Sequence, residues 1–125
     1  MKKFKIIYWI ATGLITLMIG LGSFADIFMI DAMRESIQHQ GFPVPFLPFF
    51  GIAKLMAVIV ILVPALKWLK LSAYVGLFWY FAGAVYSHFA VGDPFAISAG
   101  AIIAFILVLV SYFSWRKMEQ LSLNA

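Results

Sequence analysis

The sequence predicts an all-α fold, a bundle of four transmembrane helices that forms a single domain over residues 1–125. Two observations support this prediction. The composition is 65% hydrophobic and 11% charged, with a mean hydropathy of +1.04, whereas soluble domains are about half apolar and about a quarter charged. The charged residues also lie in short clusters between long apolar runs, as loops separate the spans of a membrane protein.

The first predicted helix covers about residues 6–30, after a start that contains several lysines. Small and polar residues recur along it at intervals of three and four, which places them on one face suited to close helix packing. These residues are Thr12, Thr16, Gly20, Ser23 and Asp26. The same segment also has the basic start, apolar core and small residues of a cleavable signal peptide. We favour a retained helix, because cleavage would discard the patterned face.

A long polar segment, residues 31–45, separates the first helix from the second and is predicted to form an outer loop. Met33 and Ile37 within it keep helical spacing. We therefore expect the first helix to run on or to bend into an interfacial turn, which stops at Gly41 and the prolines that follow.

The second predicted helix covers residues 46–64 and contains one charge, Lys54. An ionisable group near the centre of a span costs about 2.5–3.5 kcal/mol on insertion scales. Lys54 follows Phe46 by eight residues, which is about 12 Å of helix. A lysine stem does not comfortably cover this depth, so Lys54 is expected to have a partner or a function.

The third and fourth predicted helices cover residues 71–91 and 95–115, joined by a tight Gly-Asp-Pro turn. The third helix has a seam of small and polar residues along one side: Ala73, Gly76, Tyr80, Gly83, Ala84, Ser87 and His88. The fourth is uncharged, and a basic pair with a short polar tail, residues 118–125, follows it. Such a seam would suit the docking of other helices.

The distribution of basic residues predicts the orientation of the bundle. Seven of the nine Lys and Arg residues lie at the amino terminus, between the second and third helices, and beyond the fourth helix. The positive-inside rule places these segments in the cytoplasm. Both termini are therefore predicted to be cytoplasmic, with residues 31–45 and Asp93 outside, in a multi-pass protein of the cytoplasmic membrane.

Ionisable groups from separate segments are predicted to converge on the outer half of the bundle. The expected ligand-binding site combines Lys54, Asp26, His88, Trp79, Tyr80 and Asp93. We expect a polar pocket that opens outward, with Lys54 paired to Asp26 and with aromatic rings nearby. The alternative is that Lys54 reaches the headgroups along its stem, while the acid and the histidine are interface residues. No catalytic residue is predicted.

Several classes of site are excluded or disfavoured by the residue inventory. The chain has no cysteine, which excludes disulfides, thiolate metal sites and dithiol redox relays. One of its two histidines, His39, lies in the polar loop, so a haem held by facing helices is disfavoured. The chain has no Glu-x-x-His pair, so a metal site of that kind is not predicted. The basic residues form no patch with interleaved aromatics, which argues against nucleic acid as a partner.

The hairpin over residues 51–93 carries a further pattern: Gly51-Ile52-Ala53-Lys54, then Pro64, the run LKLSAYVG, Gly83-Ala84, Ser87-His88 and Gly92-Asp93. This set resembles the DoxX-like family of small four-helix membrane proteins over about residues 8–115. Lys54, His88 and Asp93 match the family pattern. The family takes its name from a subunit of an archaeal thiosulfate:quinone oxidoreductase, and a eukaryotic endoplasmic-reticulum relative assists receptor assembly. The resemblance thus implies the fold and a link to quinone or membrane sulfur metabolism.

Three functional hypotheses remain open at this stage. The favoured one is a redox-associated subunit in the lipid bilayer that binds a quinone or another lipid-like ligand in the outer pocket. Because the chain lacks a motif for a redox centre, it would then need a partner membrane subunit. The second is a non-enzymatic assembly factor whose small-residue faces dock other helices or a second copy. The third is a small proton-coupled carrier, which would need a polar path through the inner half that the sequence does not show.

Overall fold

A computed structural model describes residues 2–123, and over these residues the chain is helical without strands. The α-helices are α1 (Lys2–Ile27), α2 (Asp31–His39), α3 (Leu47–Leu62), α4 (Lys70–Ala90) and α5 (Phe95–Leu123). Short 3₁₀ turns, Val44–Phe46 and Pro64–Leu69, lead into α3 and α4. The all-helical prediction is confirmed.

The four long helices form a closed ring. α1 packs against α3 and α5, and α4 packs against the same two helices, so α1 and α4 lie on a diagonal. The short helix α2 lies at one end of this bundle, between the end of α1 and the start of α3. We refer to this end as the α2 end. The start of α1 at Lys2, the end of α5 at Leu123 and the Pro64–Leu69 turn lie at the opposite end.

Three helical segments are long and apolar enough to cross a membrane: Lys2–Ile27, Val44–Leu62 and Phe95–Leu123. α4 has 21 residues, and about 20 helical residues span the hydrocarbon layer. It is not among the three apolar segments, because its glycine, serine, tyrosine and histidine residues lower its mean hydropathy. Length therefore allows a fourth span, although α4 is not one of the three strongly apolar segments.

The observed helix bounds depart from the predicted ones in two places. α5 continues to Leu123, where the sequence analysis placed a polar tail over residues 118–125. No glycine or proline follows Trp115 to stop the helix, and an Arg116–Glu119 pair at 3.4 Å lies along it. The tail prediction was therefore wrong up to Leu123, and residues 124–125 lie outside the described residues.

The predicted outer loop contains a helix of its own, α2. The chain bends between α1 and α2 at Met29. The φ of Met29 is 51°, in the left-handed region that few residues other than glycine adopt. Gly41, at a φ of 86°, follows α2 and supplies the left-handed conformation that commonly ends a helix. The expected bend after the first helix thus occurs, and Met33 and Ile37 lie on a separate short helix.

The small and polar face predicted for the first helix lies against the bundle. Thr12, Ser23 and Asp26 are buried on α1, between apolar core residues such as Ile15 and Ile19. Thr12 and Asp26 have polar partners on other helices, Ser111 and Lys54, whereas the buried Ser23 hydroxyl has no hydrogen-bond partner within residues 2–123. This prediction is confirmed for these three residues.

The seam predicted for the third helix does not form one packed face. Gly76 and Gly83 of α4 are exposed, and a Cβ at either would have no atom within 4 Å. The buried face of α4 is formed by Ala73, Tyr74, Leu77 and Phe81. Larger apolar side chains thus fill the core, and the two glycines of the seam lie on the outer surface of the bundle.

Gly51 is a point of close approach between α3 and α1. A Cβ at this position would lie 2.8 Å from the Ser23 carbonyl oxygen, 2.9 Å from the Asp26 Cβ and 3.0 Å from a side-chain carbon of Ile27. Backbone atoms cannot move away as a flexible side chain can. The absence of a side chain at Gly51 therefore fixes the spacing of α1 and α3.

We expect Gly51→Ala to lower the free energy of unfolding by about 1–3 kcal/mol, the usual cost of overpacking a core. Gly20→Ala is the control, because a Cβ at Gly20 has nothing within 4 Å and removal of a helical glycine stabilises by about 0.5–1 kcal/mol. Thermal unfolding in detergent measures both variants. Equal melting temperatures for the two would contradict the close approach.

Candidate functional site

The centre of the candidate site is an ion pair between two helices. Lys54 Nζ of α3 lies 2.8 Å from an Asp26 carboxylate oxygen of α1, with side chains 11% and 6% exposed. The ammonium group also lies 5.0 Å from the centre of the Tyr80 ring on α4. A buried charge is stable only when it is paired, and the ring face adds a cation–π attraction. Three helices thus meet at Lys54.

A cavity of about 500 Å³ lies above this ion pair, between α3 and α4. Its walls come from Leu47, Phe50 and Lys54 on α3 and from Tyr80, Ala84 and Ser87 on α4. Asp26 contributes from α1. The volume is within the usual range of about 300–1,000 Å³ for small-molecule sites, and the wall has their mixture of apolar surface with a few polar groups.

Helix α2 covers the cavity. Met33, Ser36 and Ile37 of α2 line it, together with Gln40, which follows the helix. Ile37 is the buried residue of α2. The sequence analysis noted the helical spacing of Met33 and Ile37 but did not assign them to the site. The signal was the amphipathic pattern itself, since an apolar stripe on a short polar helix needs a surface to cover.

A second cavity of about 320 Å³ continues into the interior of the bundle, towards α1 and α5. Lys54 and Tyr80 line both cavities. On the inner side the wall includes Gly22, where a Cβ would lie 3.8 Å from Lys54 Nζ. The lysine ammonium therefore lies at the junction of an inner chamber and a larger chamber beneath α2.

Aromatic rings form one wall of the larger cavity. The Phe50 ring packs edge-to-face against Tyr80 at 5.9 Å and against Phe42 at 6.1 Å between ring centres. All three residues line the cavity. Sequence reasoning did not select Phe50 or Phe42, because phenylalanines occur throughout the apolar runs of this chain. The arrangement offers a flat ligand several ring faces and edges beside a cation.

A carboxylate bound by two histidines closes the α2 end. Asp93, in the turn between α4 and α5, accepts a hydrogen bond from His39 at 2.6 Å and one from His88 at 2.7 Å. These hydrogen bonds lower the pKa of Asp93 below its usual value. Since His39 ends α2 and His88 lies on α4, the carboxylate connects the cover of the cavity to the bundle.

The six residues expected at the site have different locations. Lys54, Asp26 and Tyr80 meet at the larger cavity, and His88 lines the inner one. Asp93 lines neither cavity but contacts His88. Trp79 is 68% exposed and faces away from both cavities, where its ring meets Phe78 at 5.0 Å. No group of three or more His, Cys, Asp or Glu side chains within residues 2–123 could hold a metal ion.

Comparison with known proteins places this geometry in a family. The sequence profile of the DoxX-like family matches residues 10–110, which is most of the chain and contains every residue of the ion pair, cavities and turn described above. The chain belongs to the DoxX-like family. No curated protein and no solved structure gives a match to it. Family membership and the apolar helices together identify an integral membrane protein.

This DoxX-like protein has a second polar cluster, at the opposite end of the bundle. The Ser111 hydroxyl lies 2.6 Å from the Thr12 hydroxyl and 2.6 Å from that of Tyr74. Nearby, Lys70 Nζ donates a hydrogen bond to the Tyr8 hydroxyl at 2.7 Å. Sequence reasoning missed this cluster, because single hydroxyl groups on separate helices carry no charge signal. The cluster satisfies buried polar groups and joins α1, α4 and α5.

We expect Lys54→Leu in this DoxX-like protein to lower the free energy of unfolding by about 3–5 kcal/mol, because it leaves the Asp26 carboxylate buried without its partner. The double variant Lys54→Leu with Asp26→Leu should recover most of this loss, since it leaves no buried charge. Thermal unfolding in detergent compares the variants. Equal instability of the single and double variants would contradict the ion pair as the cause.

We expect Asp93→Asn to loosen α2 at neutral pH, with hydrogen exchange in Asp31–His39 rising several-fold, because an amide lacks the charge that both histidines contact. The folded-state pKa of Asp93 is lowered from 3.8. Its carboxylate therefore stabilises the fold above that value, and this stabilisation is lost as pH falls through the lowered pKa. Melting temperatures of the wild type and the variant should converge in strong acid.

Glu35→Gln is the control for this measurement, because Glu35 is an exposed carboxylate on the same helix. It removes one negative charge without touching the histidines. An increase in α2 exchange equal to that of Asp93→Asn would attribute the effect to net charge and would contradict the two-histidine contact.

Proposed function

We propose that this protein binds an isoprenoid quinone, or a similar neutral ring with an apolar tail, at Lys54 as part of a redox-associated membrane complex. In this proposal it has four spans in the cytoplasmic membrane, with both termini in the cytoplasm and the α2 end outside. The observation that carries the proposal is the cavity of about 500 Å³ with a buried ion pair in its wall. An open space beside paired charges can hold a ligand without breaking the pair.

The charge of the site favours a neutral ligand. Lys54 and Asp26 together carry no net charge, so an anionic headgroup gains less there than at an unpaired lysine. An ammonium group has three N–H donors, and Asp26 takes one of them. A quinone carbonyl can accept another. The Lys54 ammonium would then hold the ring by a charge-assisted hydrogen bond, which is among the stronger kinds in proteins.

The aromatic wall supports the same class of ligand. The rings of Phe50, Phe42 and Tyr80 line the space next to the ammonium group. A flat quinone ring can stack on or meet the edges of these rings, an arrangement worth about 0.5–1.5 kcal/mol per aromatic pair beyond area burial. The tail of such a ligand would extend over the apolar remainder of the cavity.

Electron transfer would involve a partner. The chain has no cysteine with which to form a dithiol relay, and its residues supply binding, orientation and a proton donor in Lys54. A partner membrane subunit would therefore deliver or accept the electrons while this protein holds the quinone.

A non-enzymatic assembly role is the second candidate. The observation in its favour is that Lys54 already has a partner at 2.8 Å and a ring face at 5.0 Å. Together with the close approach at Gly51, this gives a structural connection between α1, α3 and α4 that requires no ligand. In that case the exposed faces of the bundle would dock other membrane proteins.

A proton-coupled carrier receives little support. The two polar clusters are at opposite ends of the bundle, and buried apolar residues separate them along α1, α4 and α5. These residues are Ile15 and Ile19 on α1, Leu77 on α4 and Val108 on α5. Proton transfer would need polar groups or water through this layer.

The test is binding of a short-tailed ubiquinone analogue to protein in lipid nanodiscs, measured by native mass spectrometry and by the shift in melting temperature. We expect one bound quinone per chain and a rise in melting temperature, because a ligand that binds only the folded state stabilises it. The double variant Lys54→Leu with Asp26→Leu should weaken binding at least about tenfold, the loss expected for a charge-assisted hydrogen bond.

A phosphatidylglycerol of equal tail length is the matched ligand control, since it has an anionic headgroup. Its preferential retention by the wild type would contradict a site for a neutral ring. Absence of any quinone binding, with a double variant that behaves like the wild type, would favour the assembly role.

A further inference from the structure

The larger cavity reaches the outer surface of the bundle between α3 and α4. Its lining includes Gly83 and Tyr86, and the Tyr86 side chain is 74% exposed. α3 and α4 are the least closely packed of the four neighbouring helix pairs. A Cβ at Gly83 would have no atom within 4 Å. The lack of a side chain at Gly83 therefore leaves open space at the place where the cavity meets the surface.

This opening lies at the depth of the lysine. Lys54 follows Leu47, the first residue of α3, by seven positions, and Gly83 precedes Ala90, the last residue of α4, by seven. At about 1.5 Å per residue, both lie about 10 Å from the α2 end of their helices. The headgroup region adds only about 5–8 Å on each side of a bilayer. With the ends of α3 and α4 at the outer headgroups, as in the proposed orientation, the opening lies at the depth of the hydrocarbon layer.

We propose that the gap between α3 and α4 at Gly83 is a lateral opening to the bilayer, occupied by the apolar tail of a membrane-dissolved ligand whose neutral ring lies at Lys54 and Tyr80. This inference rests on the proposed function and adds the route and the required shape of the ligand. The paired charges at Lys54 and Asp26 match an uncharged ring, and the apolar surroundings of the gap match a hydrocarbon or isoprenoid tail. A ring without a tail needs no opening.

The experiment compares Gly83→Leu with Gly76→Leu in nanodiscs. Both glycines are exposed on α4 and have free space at the Cβ position, but Gly76 lines neither cavity. The two substitutions therefore change helix propensity and bulk alike. The probes are a ubiquinone analogue with a decyl tail and the same dimethoxybenzoquinone ring without a tail, titrated by native mass spectrometry.

We expect Gly83→Leu to raise the Kd of the decyl compound about tenfold, as when about two methylene groups lose their apolar contacts. The Kd of the tail-less ring should not change. Gly76→Leu should leave both values at those of the wild type. Equal binding of the decyl compound to Gly83→Leu and the wild type would overturn the lateral opening while leaving quinone binding at Lys54 intact.

A second measurement tests the opening without a quinone. A phospholipid with a photoreactive diazirine in its acyl tail should crosslink to Phe50 or Tyr80 in the wild type and in Gly76→Leu, but not in Gly83→Leu. If the lipid crosslinks in this pattern and no quinone binds, the opening stands and the proposed ligand is wrong. If the lipid does not reach these residues in the wild type, the opening is overturned.

Discussion

The ion pair between Lys54 and Asp26 is the interaction on which the α2 end of this bundle depends. Neither charge is stable alone in a low-dielectric interior, so α1 and α3 must hold the two groups within hydrogen-bond distance. Gly51 makes this spacing attainable, because any side chain there would meet the Asp26 Cβ and the backbone of α1. Gly51 and the ion pair are parts of one arrangement. The close contact of the two helices at Gly51 brings together two charged residues that are distant in the sequence.

The same arrangement creates the space beside it. Lys54 extends from α3 towards α1 and Tyr80, while α3 and α4 line a cavity that α2 covers at its own end of the bundle. The cover is attached through His39 to Asp93, so the polar turn between α4 and α5 stabilises a helix that is distant in sequence. A cavity in a bundle of this size therefore follows from one tight helix pair, one loose helix pair and one amphipathic cover.

Membership in the DoxX-like family establishes the kind of protein more firmly than its activity, because function depends on the groups in a site and not on the fold that carries it. In this chain the site offers a neutral pair of charges and an aromatic wall, and in our proposal it also opens to the bilayer. The opposite end offers a hydroxyl cluster around Ser111 that is closed by its own hydrogen bonds. The two polar clusters thus differ in kind: the ion pair lies in the wall of a cavity of about 500 Å³, whereas the hydroxyl groups around Ser111 satisfy one another.

The sequence by itself determined the membrane class and located the four long helices, because hydropathy can be evaluated along a single segment. It favoured a partnership of Lys54 with Asp26 on the cost of a buried charge, and the structure shows that pair. It also indicated the packed face of α1. Only the tertiary structure decided that Phe50 and α2 line the cavity, that Trp79 faces away from it and that Gly83 lies at its edge. The inward face of α4 is set by the packing of large side chains from several helices in a common core. The positions of the small residues on α4 alone do not reveal that face. The sequence analysis also missed the continuation of α5 to Leu123. It treated the polar residues after Trp115 as the end of the helix, and polarity alone does not end a helix.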